Sequence, residues 1–275
     1  MRIALTIAGS DSGGGAGLQA DLKTFHQFGV FGTSAVTAVT AQNTVGVLAW
    51  EPVTPALVGR QIDALVADLP PAAVKTGMLG SAEIVEIVAQ RISDLRLPNY
   101  VLDPVMVATS GDRLLDKRAE GLIARRLVPL ATLVTPNLNE ASILIDADVR
   151  TPDQMEQAGG QIVTMGARAA LVKGGHLRDS ATIVDVLVHD GGVQRFAHER
   201  IETTSTHGTG CTLSAGIVAG LALGRSLEQA VEDALDFVHR AIAAAPGLGS
   251  DKGHGPLNHF VPVPPRARRP PSEGL

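Results

Sequence analysis

A single cysteine, Cys211, stands in 275 residues, so no intrachain disulfide can form, and no Cys/His spacing matches a structural zinc site. A reducing compartment is expected. Aromatic residues make up only 3% of the chain, with one Trp and one Tyr, which leaves few platforms for stacking splayed bases. Positive charge is scarce too: 23 Lys and Arg against 28 Asp and Glu give a formal net charge of −5, a field that does not draw in a phosphate backbone. No nucleic-acid partner is expected. Long hydrophobic runs are missing: the nearest approach to the about 18 apolar residues that span a bilayer is 215–223, which is short and broken by Gly216 and Gly220. The apolar run at the N-terminus, about six residues, is too short for the core of an export signal. A soluble, cytoplasmic protein without membrane contact follows as the expectation.

What is present is a chain that is 45% hydrophobic with 30 Gly and 16 Pro, enough to bury a sizeable core between many tight turns. The run 3–8 is a strand, the glycine-rich stretch 9–17 a loop, and Leu18, Leu22, Phe25 and Phe28 fall at helical spacing after it. Further β-rich runs at 33–39, 73–75, 100–102, 132–135 and 169–173 recur with helical segments between most of them. That alternation predicts an α/β fold, a doubly wound and mainly parallel sheet flanked by helices. Runs 183–188 and 193–197 flank His189-Asp190-Gly191-Gly192, whose glycines supply the positive φ of a tight turn and predict an antiparallel edge hairpin. Ser226 with Gln229 three residues on opens a helix whose apolar stripe is Val231, Ala234, Leu235, Val238 and Ile242. The expected domain spans 1–260. Beyond it the Pro- and Arg-rich segment 261–275 reads as a disordered tail.

Four places could carry chemistry. Gly9-Ser10-Asp11-Ser12-Gly13-Gly14-Gly15-Ala16-Gly17 lies at the carboxyl end of the first strand, where open α/β sheets bind ligands, and its amides could approach one closely. It fits neither a P-loop nor Gly-x-Gly-x-x-Gly, and a plain chain reversal would also use such glycines. Thr206-His207-Gly208-Thr209-Gly210-Cys211-Thr212 opens a helix of small residues, so its amides and macrodipole make an anion site. There Cys211 is either a small buried hydrophobe or a thiol whose pKa the helix start lowers into a usable range. Asp103 and the Asn137-Leu138-Asn139-Glu140 stretch follow two strands, and hard oxygens there could hold Mg²⁺; Asn137 to Glu140 is equally the spacing of a capping box. Lys173-Gly174-Gly175-His176 ends another strand, with Lys173 available to neutralise phosphate or to sit as a solvated charge at a turn.

Those stretches recur in order with Thr40-Ala41-Gln42-Asn43-Thr44, Lys75-Thr76-Gly77-Met78-Leu79 and Leu102-Asp103-Pro104-Val105-Met106. Together, over roughly 3–260, they resemble the phosphomethylpyrimidine kinases of thiamine biosynthesis, members of the ribokinase-like superfamily. The resemblance implies a ribokinase-like fold and transfer of phosphate from ATP, with Mg²⁺, to 4-amino-5-hydroxymethyl-2-methylpyrimidine and then to its monophosphate. It implies that Asp21, Gln42, Met78 and Val105 line the pyrimidine pocket, that Asn137 and Lys173 lie along the ATP phosphates, and that Asp103 and Glu140 organise the metal. Gly208, Thr209, Gly210 and Cys211 would form the catalytic anion hole, with Cys211 where many sugar kinases of the superfamily carry an Asp base. A homodimer is implied as well. Pyridoxine and pyridoxal kinases share the fold; the flap segment Met106-Val107-Ala108-Thr109-Ser110-Gly111-Asp112 has no Cys, which favours the thiamine branch. A non-catalytic pyrimidine-binding regulator is the alternative from another class, and Asp103, Glu140, Lys173 and Cys211 standing together argue against it.

Overall fold

The computed structural model describes residues 1–106, 117–175 and 181–263. Strand β1 (Ile3–Ala8) leads through the glycine loop into helix α1 (Gly17–Gln27) and β2 (Phe31–Val36). After the ribbon strands β3 (Ala38–Gln42) and β4 (Val47–Pro52), the pattern of helix and strand resumes with α2 (Pro55–Asp68), β5 (Ala73–Thr76), α3 (Ala82–Asp94) and β6 (Tyr100–Leu102). Helix α4 (Lys117–Leu122), a π turn and a 3-10 turn precede β7 (Leu133–Val134), α5 (Leu138–Ile145), α6 (Pro152–Thr164) and β8 (Ala169–Val172). The hairpin β9 (Thr182–His189) and β10 (Gly192–Glu199) is followed by α7 (Thr209–Ala222) and α8 (Leu227–Ala243).

The main sheet runs β10-β9-β8-β7-β6-β5-β1-β2. Its strands are parallel from β2 to β8, and β9 and β10 close the edge antiparallel, as the turn residues predict. Successive strand residues point to opposite faces. Ala4, Val101, Leu133, Ala169 and Leu171 thus pack with α7 and α8, while Leu5, Val74, Leu102, Val134 and Ala170 pack with the α2 and α3 side. Both faces of β1 and of β5 to β8 are covered, so these inner strands carry no polar face to water, whereas the edge strand β10 is mostly exposed.

Helix α7 is buried nearly all round, which explains its lack of a polar stripe. Gly216 and Gly220, the residues that interrupt its apolar run, let α8 approach: a methyl group on either would stand 2.9 Å and 2.8 Å from the side chains of Ala234 and Ala230. Helix α8 begins at the expected Ser226 and Gln229 capping box. No helix among the described residues is long and apolar enough to cross a membrane.

Two expectations shift. The run 33–39 is not one strand, because Thr37 leaves the ladder: its hydroxyl donates to the Met78 carbonyl at 2.6 Å, and the chain then forms the separate antiparallel ribbon β3–β4. Strand β4 escapes the reading of hydrophobic pattern since most of its residues are exposed and no alternation marks it. At the other end, packed chain does not stop at 260. Val261 is buried, Val263 packs on the same cluster, and Gln27 donates to the Val261 carbonyl at 2.9 Å. Residues 264–275 of the expected tail lie outside the described residues.

Candidate active site

The ends of parallel strands and the start of α7 bring most of the candidate residues to the carboxyl edge of the sheet, near where β1 lies between β2 and β5, the switch point at which open α/β sheets bind ligands. Asp103 follows β6 directly, its amide tied to the Thr76 carbonyl, and its carboxylate is 1% exposed. It accepts from Lys173 Nζ at 3.2 Å, Thr135 Oγ1 at 3.3 Å and Ser214 Oγ at 3.0 Å. Burial opposes its ionised form, but Lys173, Lys75 and Ser214 outweigh it and hold the carboxyl below its ordinary value. Asn137 and Lys173 meet in a parallel bridge, so the ends of β7 and β8 are fixed side by side.

Lys173 is also what faces the first turn of α7. Its Nζ lies 3.2 Å from where a methyl on Gly210 would stand. Gly208 caps that helix with φ of 83°, and any side chain there would overlap the Gly15 carbonyl oxygen; only glycine suits both demands. No acceptor among the described residues takes the amides of Gly210 or Cys211. A turn of open N–H groups beside a lysine is suited to phosphate charge.

Of the two readings open for Cys211, the buried, unactivated thiol fits the structure. Burial pushes it up to about 11, with Lys75 only partly opposing and Asp21 and Asp103 adding to the rise. Desolvation outweighs the helix start, so the thiol is protonated at neutral pH. Glu140 takes the capping role that its spacing offered. The capping box with Asn137 is complete at 2.8 and 2.9 Å, and burial pushes its carboxyl up to about 7, Lys173 pulling down and Asp103 adding to the rise.

Among the described residues no group of three or more His, Cys, Asp or Glu could cage a metal alone. Asp103 and Glu140 nevertheless fit a Mg²⁺ held chiefly by phosphate oxygens and water, which asks the protein for one or two carboxylates. The buried Glu140 carboxyl, which burial and the Asp103 charge raise, and the ionised Asp103 are a donor pair that a divalent cation would suit.

The glycine loop keeps its amides for itself. Asp11 accepts from Gly13, Gly15 and Ala16 at 2.8, 2.9 and 2.7 Å and from His207 Nε2 at 2.9 Å, so this nest holds a built-in carboxylate. Burial would raise Asp11, but His207 and those amides lower it. Of the expected pyrimidine residues, Met78, whose Sδ lies 3.2 Å from where a methyl on Gly9 would stand, and the half-buried Gln42 and Val105 border the loop and the end of β6. Asp21 departs from that expectation. It is fully buried, and Lys75 Nζ lies 2.9 Å from each of its oxygens, with Thr6 Oγ1 at 2.6 Å. Its carboxylate is closed off by these partners and has no exposed surface. Burial raises Asp21 against the pull of Lys75, while Asp21, Cys211 and Asp103 keep Lys75 charged against burial.

Lys75, Ser214, Asp11 and His207 were not singled out as site residues. A lysine in the short central strand β5, after Ala73 and Val74, signals a buried partner, and an Asp before three glycines signals a filled nest; Ser214 and His207 carry no such signal.

The model of the phosphomethylpyrimidine kinase family matches residues 11–258. The chain belongs to the phosphomethylpyrimidine kinase family. It is 46% identical over 258 residues to the hydroxymethylpyrimidine/phosphomethylpyrimidine kinase of Bacillus subtilis, covering 94% of both chains. A crystal structure of phosphomethylpyrimidine kinase from Clostridium difficile superposes with a TM-score of 0.79 at 40% identity, over 88% of this chain and 100% of that one. The ADP complex of a Bacillus subtilis pyridoxal kinase gives a TM-score of 0.86 at 37% identity, over 94% and 97%. The ribokinase-like fold of this kinase family is thereby shared along nearly the whole chain. Residues 107–112 of the expected flap segment, and His176, lie outside the described residues.

Proposed function

We propose that the protein transfers the γ-phosphoryl group of ATP first to the hydroxymethyl group of 4-amino-5-hydroxymethyl-2-methylpyrimidine and then to the resulting monophosphate. The observation that carries this reading is the convergence of the Lys173–Asp103 pair on the open first turn of α7. Phosphoryl transfer needs positioning and charge stabilisation more than covalent help. Lys173 and the amides of Gly210 and Cys211 meet the charge on the transferred group, and Asn137 lies beside Lys173 along the phosphates. Asp103, itself held by Lys173 and Ser214, and Glu140 would hold Mg²⁺ through water; bound there, the ion would neutralise charge on the phosphate oxygens. A side-chain amide carries donor and acceptor together, so Gln42 reads the amino group and a ring nitrogen of the pyrimidine, with Met78 and Val105 against its apolar faces. Asp21 supports this wall from beneath through Lys75. The homodimer and the cytoplasmic setting belong to the same proposal.

The likeness to a pyridoxal kinase supports a second reading, in which a B6 vitamer is the acceptor. Measuring kcat/KM with ATP for hydroxymethylpyrimidine and for pyridoxal on one preparation separates the two. The proposal expects the pyrimidine to be preferred by at least about tenfold, the discrimination of one good buried hydrogen bond; preference for pyridoxal would reverse the assignment.

A further inference from the structure

The glycine loop meets β3 through serine side chains where a sheet would use backbone. The Ser10 N–H donates to the Ala38 carbonyl at 2.8 Å, and the Thr40 N–H donates to Ser10 Oγ at 3.2 Å. Two residues further along each segment, the Gln42 N–H donates to Ser12 Oγ at 2.7 Å and the Ser12 hydroxyl donates to the Gln42 carbonyl at 2.8 Å. That step of two on both sides is the period of a strand. Loop and strand also stand close: a methyl on Gly13 would lie 3.3 Å from Asn43 Cα and 3.4 Å from the Gln42 carbonyl oxygen.

The loop has few amides of its own to offer here. Those of Gly13, Gly15 and Ala16 go to the Asp11 carboxylate, and the Asp11 N–H goes to Gln19 Oε1 at 2.8 Å, so the peptide groups on this edge of β3 need another partner. A hydroxyl accepts and donates through one oxygen. At Ser12 its single proton has one acceptor, the Gln42 carbonyl. The opposite edge fixes Gln42 less well, because the β3–β4 register shifts between Ala41 and Gln42, and such a shift disrupts the ladder locally. The backbone of Gln42 is therefore set from the loop side, and none of the roles above uses the hydroxyl that sets it.

We propose that Ser12 is a positioning residue: by clamping the N–H and C=O of Gln42 it holds that side chain at the place where it meets the heterocycle, whichever way the amide is turned. The proposal rests on the functional reading above for Gln42 as the residue that meets the pyrimidine. The ring is common to the alcohol and its monophosphate, so Ser12 acts on both acceptors alike. Both bonds of its hydroxyl end on Gln42, and the ATP side of the site is left alone.

The test is a double-mutant cycle on KM, with Ser12→Ala, Gln42→Leu and the pair, beside Ser12→Thr, which keeps a hydroxyl. Thermal unfolding is recorded for each. Ser12 is exposed and its φ is not positive, so alanine and threonine both suit its backbone. Ser12→Ala is expected to raise KM for hydroxymethylpyrimidine and for its monophosphate about tenfold each, the scale of a lost net hydrogen bond, with KM for ATP within about twofold and Tm nearly unchanged. The pair is expected to add little to Gln42→Leu alone, and Ser12→Thr to recover most of the loss. Additive effects, unchanged KM values, no recovery in Ser12→Thr, or a rise in KM for ATP that tracks a lowered Tm would overturn the proposal in favour of a loop-packing role. Should Ser12→Ala not fold, Ser12→Gly takes its place in the cycle. Wild-type turnover of pyridoxal without turnover of the pyrimidine would refute the functional reading instead, and the same cycle read on pyridoxal still decides the role of Ser12.

Discussion

Cys211 shows how a local rule loses to its surroundings. A helix start stabilises a thiolate by a fraction of a unit charge, whereas the protein around it, with Asp21 and Asp103 near, keeps the proton on sulfur and pushes the thiol up to about 11. Cys211→Ala removes the sulfur and keeps the amide. It is expected to lower kcat by less than about tenfold in both phosphorylations, well short of the 100-fold or more that a lost general base costs. A fall of that size confined to the first step, measured as single-step kcat, would show that sulfur accepts the hydroxymethyl proton. Gln42→Leu tests the other end of the site. It leaves a desolvated ligand edge unpaired and should weaken pyrimidine binding by about 1 to 3 kcal/mol with ATP binding nearly unchanged, as calorimetry would read; equal weakening of both would contradict its assignment. Which residues gather at the candidate site was partly legible from sequence. Asp103, Asn137, Glu140 and Lys173 gather as expected, because each follows a strand in one parallel sheet and so must emerge at one edge. The pairing of Asp21 was not legible, since its position on α1 does not reveal that Lys75 reaches it from β5.

Helix ends decide how the site is assembled. In α5, one short helix start serves both capping and charge: Glu140 closes the box with Asn137 while its carboxyl faces Lys173 and Asp103. Glu140→Gln can keep the box but removes the charge. It is expected to raise the Mg²⁺ concentration needed for half-maximal rate with little change in Tm; an unchanged Mg²⁺ dependence would leave Glu140 as a cap alone. The hairpin β9–β10 and the start of α8 were legible because turn glycines and the Ser226/Gln229 pair act through neighbours in sequence. The break at Thr37 and the exposed β4 were not, since both are set by contacts with distant chain such as the Met78 carbonyl.

Across the molecule, the C-terminal segment ties the face carrying α7 to the site, and one of its fastenings is sensitive to acid. His259 is 7% exposed and its Nε2 lies 3.0 Å from Thr212 Oγ1 on α7; burial, with Lys23 adding, lowers it to about 4. The unfolded chain, with His near its ordinary 6.5, binds the proton first as pH falls. Stability is therefore full above about 6.5 and declines as pH falls toward about 4. Urea unfolding at pH 7 and pH 5 should show that decline in the wild type and a smaller one in His259→Gln; equal declines would contradict the buried neutral imidazole. The central claim, however, is chemical: one crevice, built from Lys173, Asp103 and the first turn of α7, phosphorylates the same pyrimidine twice. The most direct measurement is a time course of purified protein with MgATP and hydroxymethylpyrimidine, products resolved by mass. The account predicts two successive gains of one phosphoryl group, the monophosphate rising and then falling. A single gain that never proceeds, or no gain on the pyrimidine while pyridoxal is converted, would contradict it.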